Sequence, residues 1–386
     1  MLLGGKTVFP ITLGNGPPLT SKDPVTGLDG WKEVAQAGVK MLRVYPKWTA
    51  ANAAQQIQAV KEQLLAAAQH GLWLWVGLYN LANDLGKQPL LEQVVDAFKD
   101  LPGLGAWKGA DEPLHANLPA QGLVDAYNLV HQHDPNHPLV LIQAPVARNG
   151  PLTTALLEPY AAAGDIHGVD IYPVSFPPGA HAGRPNKDIS VVGDVTDLVV
   201  QAAPGKEHWT TLQIAWSGVL PPQHVPTFPG LREERFMAYQ AIVAGANGLV
   251  FFGGDLTPVM SPADAAQGWN WTFWHTVLKP LVQQLHSTAV GPALLAPASK
   301  RTITADSADV RLSAREADGF LYVIAVRQDP TKNSDVTLSG LPAAVKSGQA
   351  LFEYDHANFR TVTLSRGAFT DPFAPHDARV YRFRLP

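Results

Sequence analysis

The chain has 386 residues, 46% of them hydrophobic and 16% charged, with a formal net charge of −4 and no cysteine. This length and apolar share suit a large buried core, divided into one big domain and a smaller one. The missing thiols exclude disulfides, thiolate metal sites and cysteine nucleophiles, and scattered arginines in an acidic chain offer no field for a nucleic-acid backbone.

No apolar run reaches the roughly 18 residues of a membrane span. The opening Met1-Leu2-Leu3-Gly4-Gly5-Lys6 lacks the charged start and long apolar stretch of a signal peptide. The expectation is a cytoplasmic protein, or a secreted or periplasmic one whose leader has been removed. Neither membrane nor nucleic acid is an expected partner, and a neutral substrate fits better.

From residue 7 to about 290, short apolar runs alternate with longer amphipathic stretches at a spacing of roughly 30 residues. The strand candidates are Thr7 to Leu13, Met41 to Tyr45, Leu72 to Leu78, Gly103 to Lys108, Leu139 to Gln143, Gly168 to Tyr172, Trp209 to Ile214 and Gly248 to Phe252. Between them Asp29 to Ala37, Ala50 to Gln69, Leu90 to Lys99, Gln121 to His133, Thr153 to Ala162, Ile189 to Ala202, Arg232 to Ala244 and Trp269 to His286 read as helices. Runs such as Leu72-Trp73-Leu74-Trp75-Val76-Gly77-Leu78 are apolar on both faces, as covered parallel strands must be. Eight such units predict an α/β fold, a closed (β/α)8 TIM barrel over residues 1–291, with its active site at the C-terminal strand ends. Proline-rich Pro173 to Pro185 and Pro221 to Pro229 read as long rim loops.

After Pro292 the pattern changes to short alternating runs. Val310 to Leu312, Leu321 to Ala325, Asp335 to Leu338, Ala350 to Tyr354, Arg360 to Leu364 and Arg379 to Leu385 predict a small accessory β-sandwich over residues 292–386.

The residues that end the strands are Arg43-Val44-Tyr45, Tyr79-Asn80, Asp111-Glu112-Pro113, Asp170-Ile171-Tyr172-Pro173, Gln213-Ile214-Ala215-Trp216 and Gly253-Gly254-Asp255. Polar groups and aromatic rings converging on one mouth suit a carbohydrate, whose hydroxyls need hydrogen-bond partners and whose rings stack on aromatic faces. Trp216, Trp107, Tyr45 and Tyr79 are candidate stacking platforms, each weighed against a place in the core. The start of the eighth helix adds Trp269 and Trp271 as candidate rim residues, with Trp274 packing inward.

These strand ends resemble the clan of (β/α)8 glycoside hydrolases that includes cellulases, mannanases and β-galactosidases. In that clan an arginine ends strand two, Asn-Glu followed by proline ends strand four, a tyrosine ends strand six and a glutamate nucleophile ends strand seven. The resemblance maps Arg43 onto the arginine, Glu112 onto the acid/base, Asp111 onto the asparagine and Tyr172 onto the tyrosine. The Trp-x-Gly-x-Asp-Glu-Pro form is also similar to a less characterised group of barrel hydrolases ending in a β-sandwich. The chain departs at strand seven, where Gln213 cannot ionise or attack an anomeric carbon.

Glu112 is the expected general acid, with Trp107 as the apolar wall favouring its protonated form. The alternative is that Asp111-Glu112-Pro113 only caps the following turn. Asp111 is either a partner for a sugar hydroxyl or a second catalytic carboxylate. Asp170 is the other candidate for that second carboxylate, against a buried aspartate that holds Arg43 or a backbone amide. Asn80, Gln213 and Asp255 are candidate substrate contacts. Glu233 and Glu234 read as structural, at a helix N-terminus. His131, His133 and His137 lack a carboxylate at metal-ligand spacing, so no metal or cofactor is expected. The function these residues imply is hydrolysis of a glycosidic bond; the rival is a carbohydrate-binding barrel that has lost hydrolysis, with Gln213 as its mark.

Overall fold

A computed structural model describes residues 1–83, 85–174, 182–215, 228–353 and 359–386. Both predicted rim loops fall largely outside these residues, as do Trp216 and Tyr354.

Eight parallel strands close into a barrel. In chain order they are β1 Ile11–Leu13, β2 Met41–Val44, β3 Trp73–Gly77, β4 Leu104–Asp111, β5 Leu139–Gln143, β6 Ile166–Asp170, β7 Glu207–Gln213 and β8 Gly248–Phe252. β5 and β8 match their predicted bounds. β1 is shorter than the apolar run because Pro10 cannot donate to a ladder; Lys6–Thr7 instead pairs antiparallel with Leu2–Leu3. β6 begins two residues earlier than predicted and ends at Asp170, before Tyr172-Pro173.

The barrel interior is a packed cluster of Met41, Trp75, Ala106, Val140, Ile142, Ile166, Trp209 and Val250, joined by Leu3 of the N-terminal hairpin. Trp75 and Trp209 meet edge to face with ring centroids 5.7 Å apart. Alternate residues face outward into a larger cluster against the helices, among them Leu74, Val76, Trp107, Leu212 and Leu249. Both faces of each strand are therefore dry, the physical reason for the near-continuous apolar runs.

Helices cover the outside: α1 Gly30–Ala37, α2 Ala53–His70, α3 Gln88–Phe98, α4 Ala120–His133, α5 Thr154–Leu157, α6 Val191–Ala202 and α7 Leu231–Val243. Asp29 caps α1 by accepting from the Trp31 and Lys32 amides. The Glu233 side chain caps α7 by accepting from the Gly230 amide, whereas Glu234 is fully buried and burial pushes its carboxyl well up. The predicted eighth helix is Trp271–Phe273, a π turn Trp274–Leu278 and Lys279–His286 in sequence. Pro280, without an N–H, is the residue that perturbs the regular ladder there.

The C-terminal part is a sandwich of two antiparallel sheets. β9 Thr304–Ala305, β12 Ser334–Ser339 and β15 Ala368–Phe373 form one. The other holds β10 Val310–Ala317, β11 Phe320–Arg327, β16 Ala378–Arg384, β13 Ser347–Leu351 and β14 Arg360–Thr363. Leu321, Val323 and Ala325 of β11 face the sandwich core, and Ile324 and Val326 join the barrel's own cluster. β15 escaped the sequence reading because Asp371-Pro372 looks like a turn. In the fold Asp371 is buried and accepts from Tyr381 Oη and Arg360 Nη2, each at 2.7 Å.

Candidate active site

A cavity of about 510 Å³ opens at the C-terminal strand ends, lined by Asn15, Arg43, Tyr45, Asp111, Glu112, Ile142, Asp170, Tyr172, Thr211, Phe252 and Asp255. Seven of the predicted site residues, Arg43, Tyr45, Asp111, Glu112, Asp170, Tyr172 and Asp255, are thus brought together. An adjoining cavity of about 370 Å³ is lined by Tyr45, Pro46, Lys47, Trp48, Tyr79, Asn80 and Asp111, so it shares a wall with the first.

β4 carries the carboxylates by means of a bulge. Trp107 pairs with Leu139 and Lys108 with Val140, but it is Asp111 that pairs with Ile142, so β4 has one residue more than β5 over this stretch. The extra residue reverses the inside-outside alternation. Ala110 faces outward with Leu123, Leu141 and Tyr160, and Asp111 faces the mouth as Lys108 does. Lys108 is fully buried; its Nζ lies 2.7 Å from Asp111 Oδ1 and near the Trp75 and Tyr79 rings. Burial draws the Lys108 ammonium down and the Asp111 charge opposes it. Burial works the other way on Asp111, low in the cleft yet open to solvent on one side, but Lys108 and then Arg43 outweigh it and hold the carboxyl below its usual range.

Asp170, buried at the end of β6, behaves oppositely. Burial first, then the Glu112 carboxylate within hydrogen-bonding reach, push it well above the ordinary carboxylate range. Tyr172 donates to Asp170 Oδ2 at 3.1 Å. Asp170 Oδ1 has no donor among the described residues. Burial without a donor on this oxygen disfavours the ionised form of Asp170.

The remaining walls are aromatic and cationic. Arg43 donates from Nε to the Gly14 carbonyl at 3.2 Å, and its guanidinium lies 3.9 Å from the Tyr45 ring centroid and 5.2 Å from that of Phe252. Tyr45 stacks on Tyr79 at 5.4 Å, and Tyr172 on Phe252 at 5.6 Å. Asn15 donates to Asp255 Oδ1. Tyr79 and Glu112, just beyond the ends of β3 and β4, both have positive φ, 46° and 42°, a left-handed conformation costly for side chains with a Cβ and concentrated at functional sites.

Four predicted contacts are corrected. Trp107 is fully buried on the outer face of β4, with Nε1 donating to Asp134 Oδ2 at 2.8 Å; it is neither a sugar platform nor a wall for Glu112, because the alternation before the bulge turns it away. Gln213 is fully buried and both ends of its amide are taken by the Val174 backbone. Trp269 and Trp271 do not reach the rim; both are buried, and Trp269 Nε1 donates to the Asn15 carbonyl at 2.7 Å. Trp216 lies outside the described residues. Carboxylates do stand beside two of the histidines, Asp96 by His133 and Asp134 by His137, with Lys99 and Trp107 as the other partners of these carboxylates.

The sequence reading missed Lys108, Asn15, Thr211 and Phe252. Asn15 and Phe252 were findable, since each follows or ends a barrel strand. Lys108 was not, because an ammonium in a barrel interior is credible only once its carboxylate partner is placed. Asp23, Glu33 and His275 bring donor atoms within 4.8 Å of one another away from the cavity lining. There Lys279 Nζ already lies 2.5 Å from Glu33 Oε1, and His275 Nε2 2.9 Å from Asp23 Oδ1.

The chain matches no protein-family model and no curated protein sequence. Its fold is similar to solved structures along its whole length. A glycoside hydrolase aligns with a TM-score of 0.67 at 12% identity, over 99% of this chain and 93% of that one. A GH27 β-L-arabinopyranosidase from Geobacillus stearothermophilus gives 0.58 at 11% identity, over 98% and 97%. A GH30 endoxylanase from Clostridium papyrosolvens gives 0.57 at 12%, over 98% and 97%. At these identities the likeness is one of fold: a (β/α)8 barrel with a C-terminal β-sandwich, the architecture of these glycoside hydrolases.

Proposed function

We propose that the protein is a glycoside hydrolase whose proton donor is the Glu112–Asp170 pair and whose standing carboxylate is Asp111. The observation that carries this reading is three carboxyls in one mouth, with Asp170 buried beside Glu112 and Asp111 paired with the buried Lys108 ammonium, surroundings that drive Asp170 up and Asp111 down. Carboxyls driven apart in this way supply an acid and a base at one pH. Glu112 is the more solvent-exposed member of the pair, so it delivers the pair's proton to the glycosidic oxygen. As the bond to that oxygen breaks, a water adds to the anomeric carbon and gives up its proton to the Asp111 carboxylate, which Lys108 holds in place. Arg43, Asn15, Thr211 and Asp255 are placed to bind hydroxyls, and Tyr172 and Phe252 to limit the ring. The fold likeness to glycoside hydrolases of several families supports the same reading.

The test is turnover of a panel of 4-nitrophenyl glycosides and natural oligosaccharides. Glu112→Gln, Asp170→Asn and Asp111→Asn should each lower kcat by about two or more orders of magnitude while binding persists. Wild-type turnover retained by Glu112→Gln would refute the assignment. Sugar binding by the native protein with no product released would favour the carbohydrate-binding alternative.

A further inference from the structure

A proline follows each member of the carboxyl pair: Pro113 directly after Glu112, and Pro173 three residues after Asp170. Proline has no N–H, so the parallel ladder to the next strand fails where the chain leaves the barrel. Up to that point the ladder continues, with Glu112 N–H donating to the Ile142 carbonyl at 3.1 Å and Ile171 N–H to the Thr211 carbonyl at 3.0 Å. Beyond each proline a glutamine side chain takes over. Gln143, the last residue of β5, accepts through Oε1 from the Leu114 amide at 3.1 Å. Gln213, the last residue of β7, accepts from the Val174 amide at 2.7 Å and donates from Nε2 to the Val174 carbonyl at 2.9 Å. Both glutamines are buried.

We infer that Gln143 and Gln213 are paired positioning residues, whose side-chain amides extend the β4–β5 and β6–β7 ladders past Pro113 and Pro173 and so hold Glu112 and Asp170 against each other. The kinetic consequence rests on the hydrolase reading, whereas the geometry does not. A side-chain amide sets a donor and an acceptor side by side and so matches the carbonyl and the N–H of one residue with no change of protonation. An ionised glutamate at 213 would set an acceptor against the Val174 carbonyl in a fully buried position, a costly arrangement. The glutamine that stands where the resemblance expects a strand-seven nucleophile thus has a structural task in the clamp whether or not a sugar is turned over. Gln143 uses its acceptor, and its Nε2 has no partner among the described residues, so it makes the weaker clamp and leaves Glu112 the more mobile of the pair.

Gln213→Met and Gln143→Met keep the volume and remove the bonds. In deuterium-exchange mass spectrometry, peptides containing Val174 and Leu114 should exchange faster in the respective variant. On a 4-nitrophenyl glycoside turned over by the wild type, kcat should fall about 10- to 100-fold for Gln213→Met, and less for Gln143→Met, with KM within about threefold. The alkaline limb of the pH profile should move to lower pH, because Glu112 beside Asp170 raises that carboxyl, and so opposite to Tyr172→Phe, which removes a hydrogen bond that lowers it. Unchanged exchange and kcat overturn the inference, as does a loss of kcat with an unshifted pH profile and a lowered Tm, which marks general destabilisation. Gain of turnover by Gln213→Glu, with covalent capture of a fluorosugar at that residue, overturns it too. If Gln213→Met does not fold, Gln143→Met carries the same test. A wild type that releases no sugar sinks the hydrolase reading, and the exchange measurement still decides the clamp.

Discussion

A lysine ammonium sealed inside a barrel is destabilising unless a carboxylate meets it, and Lys108 meets Asp111 at 2.7 Å. Removing the lysine leaves Asp111 in the cleft with burial unopposed except by Arg43. In Lys108→Met the Asp111 carboxyl should therefore titrate at higher pH. The acid limb of kcat/KM should shift upward and turnover at pH 5 should fall more than turnover at pH 7, measured on the same aryl glycoside. The sign for stability follows from linkage. Asp111 titrates lower folded than unfolded, so its contribution is full above the unfolded value of about 3.9 and is lost as pH falls through the folded value. Thermal unfolding of Lys108→Met should lose that part of the acid dependence. Individual residues were legible where position and chemistry agreed: Arg43, Glu112, Asp170 and Tyr172 follow from polar groups ending apolar runs. Trp107 and Lys108 were not, since which neighbour faces inward depends on parity within β4, which composition does not reveal.

Strand ends, at the next scale, do more than present side chains. β3 ends in Gly77, and a Cβ there would lie 2.1 Å from the Tyr79 ring. The left-handed turn at Tyr79 folds that ring back over the strand, against Tyr45 and above Lys108. Gly77→Ala should displace the ring, costing about 1–3 kcal/mol of stability by overpacking. Denaturant unfolding would measure the cost. A KM for aryl glycoside raised several-fold would show that the Tyr45–Tyr79 wall is used. The bulge in β4 is the other element-scale device. The existence and order of the strands were legible from apolar runs, but the bulge, the early end of β6 and the hidden strand β15 were not, because each depends on hydrogen bonds to another strand.

On the scale of the molecule, the barrel and the sandwich share a core. Ile324, Val326, Leu351, Ala378 and Val380 of the sandwich belong to the same buried cluster as the barrel helices. Arg311 makes a two-pronged pair with Asp197 of α6 at 2.8 and 2.9 Å, and the buried Arg235 of α7 donates to the Ala378 carbonyl. The sequence pattern reads as a catalytic unit with an accessory module, but the packing predicts one cooperative unit. Calorimetry should show a single unfolding transition, and a fragment ending at Pro297 should be insoluble or lack near-ultraviolet circular dichroism. Two resolved transitions, or a fragment with native spectra and turnover, would show that the units are separable.

By itself the sequence determined the architecture and the mouth. Apolar runs at strand and helix spacing can be buried in few ways, and a parallel sheet dry on both faces must be covered by helices or closed. Residues that interrupt such runs at their C-terminal ends then have one place to go. Only the tertiary structure decided which carboxyl is pushed up, which is held down, and what the glutamine that ends β7 is bonded to. Those outcomes depend on what stands within a few ångströms across neighbouring strands: Glu112 beside Asp170, Lys108 beneath Asp111, Val174 against Gln213. Electrostatic and hydrogen-bond energies vary steeply over such distances, and linear spacing along the chain carries no measure of them.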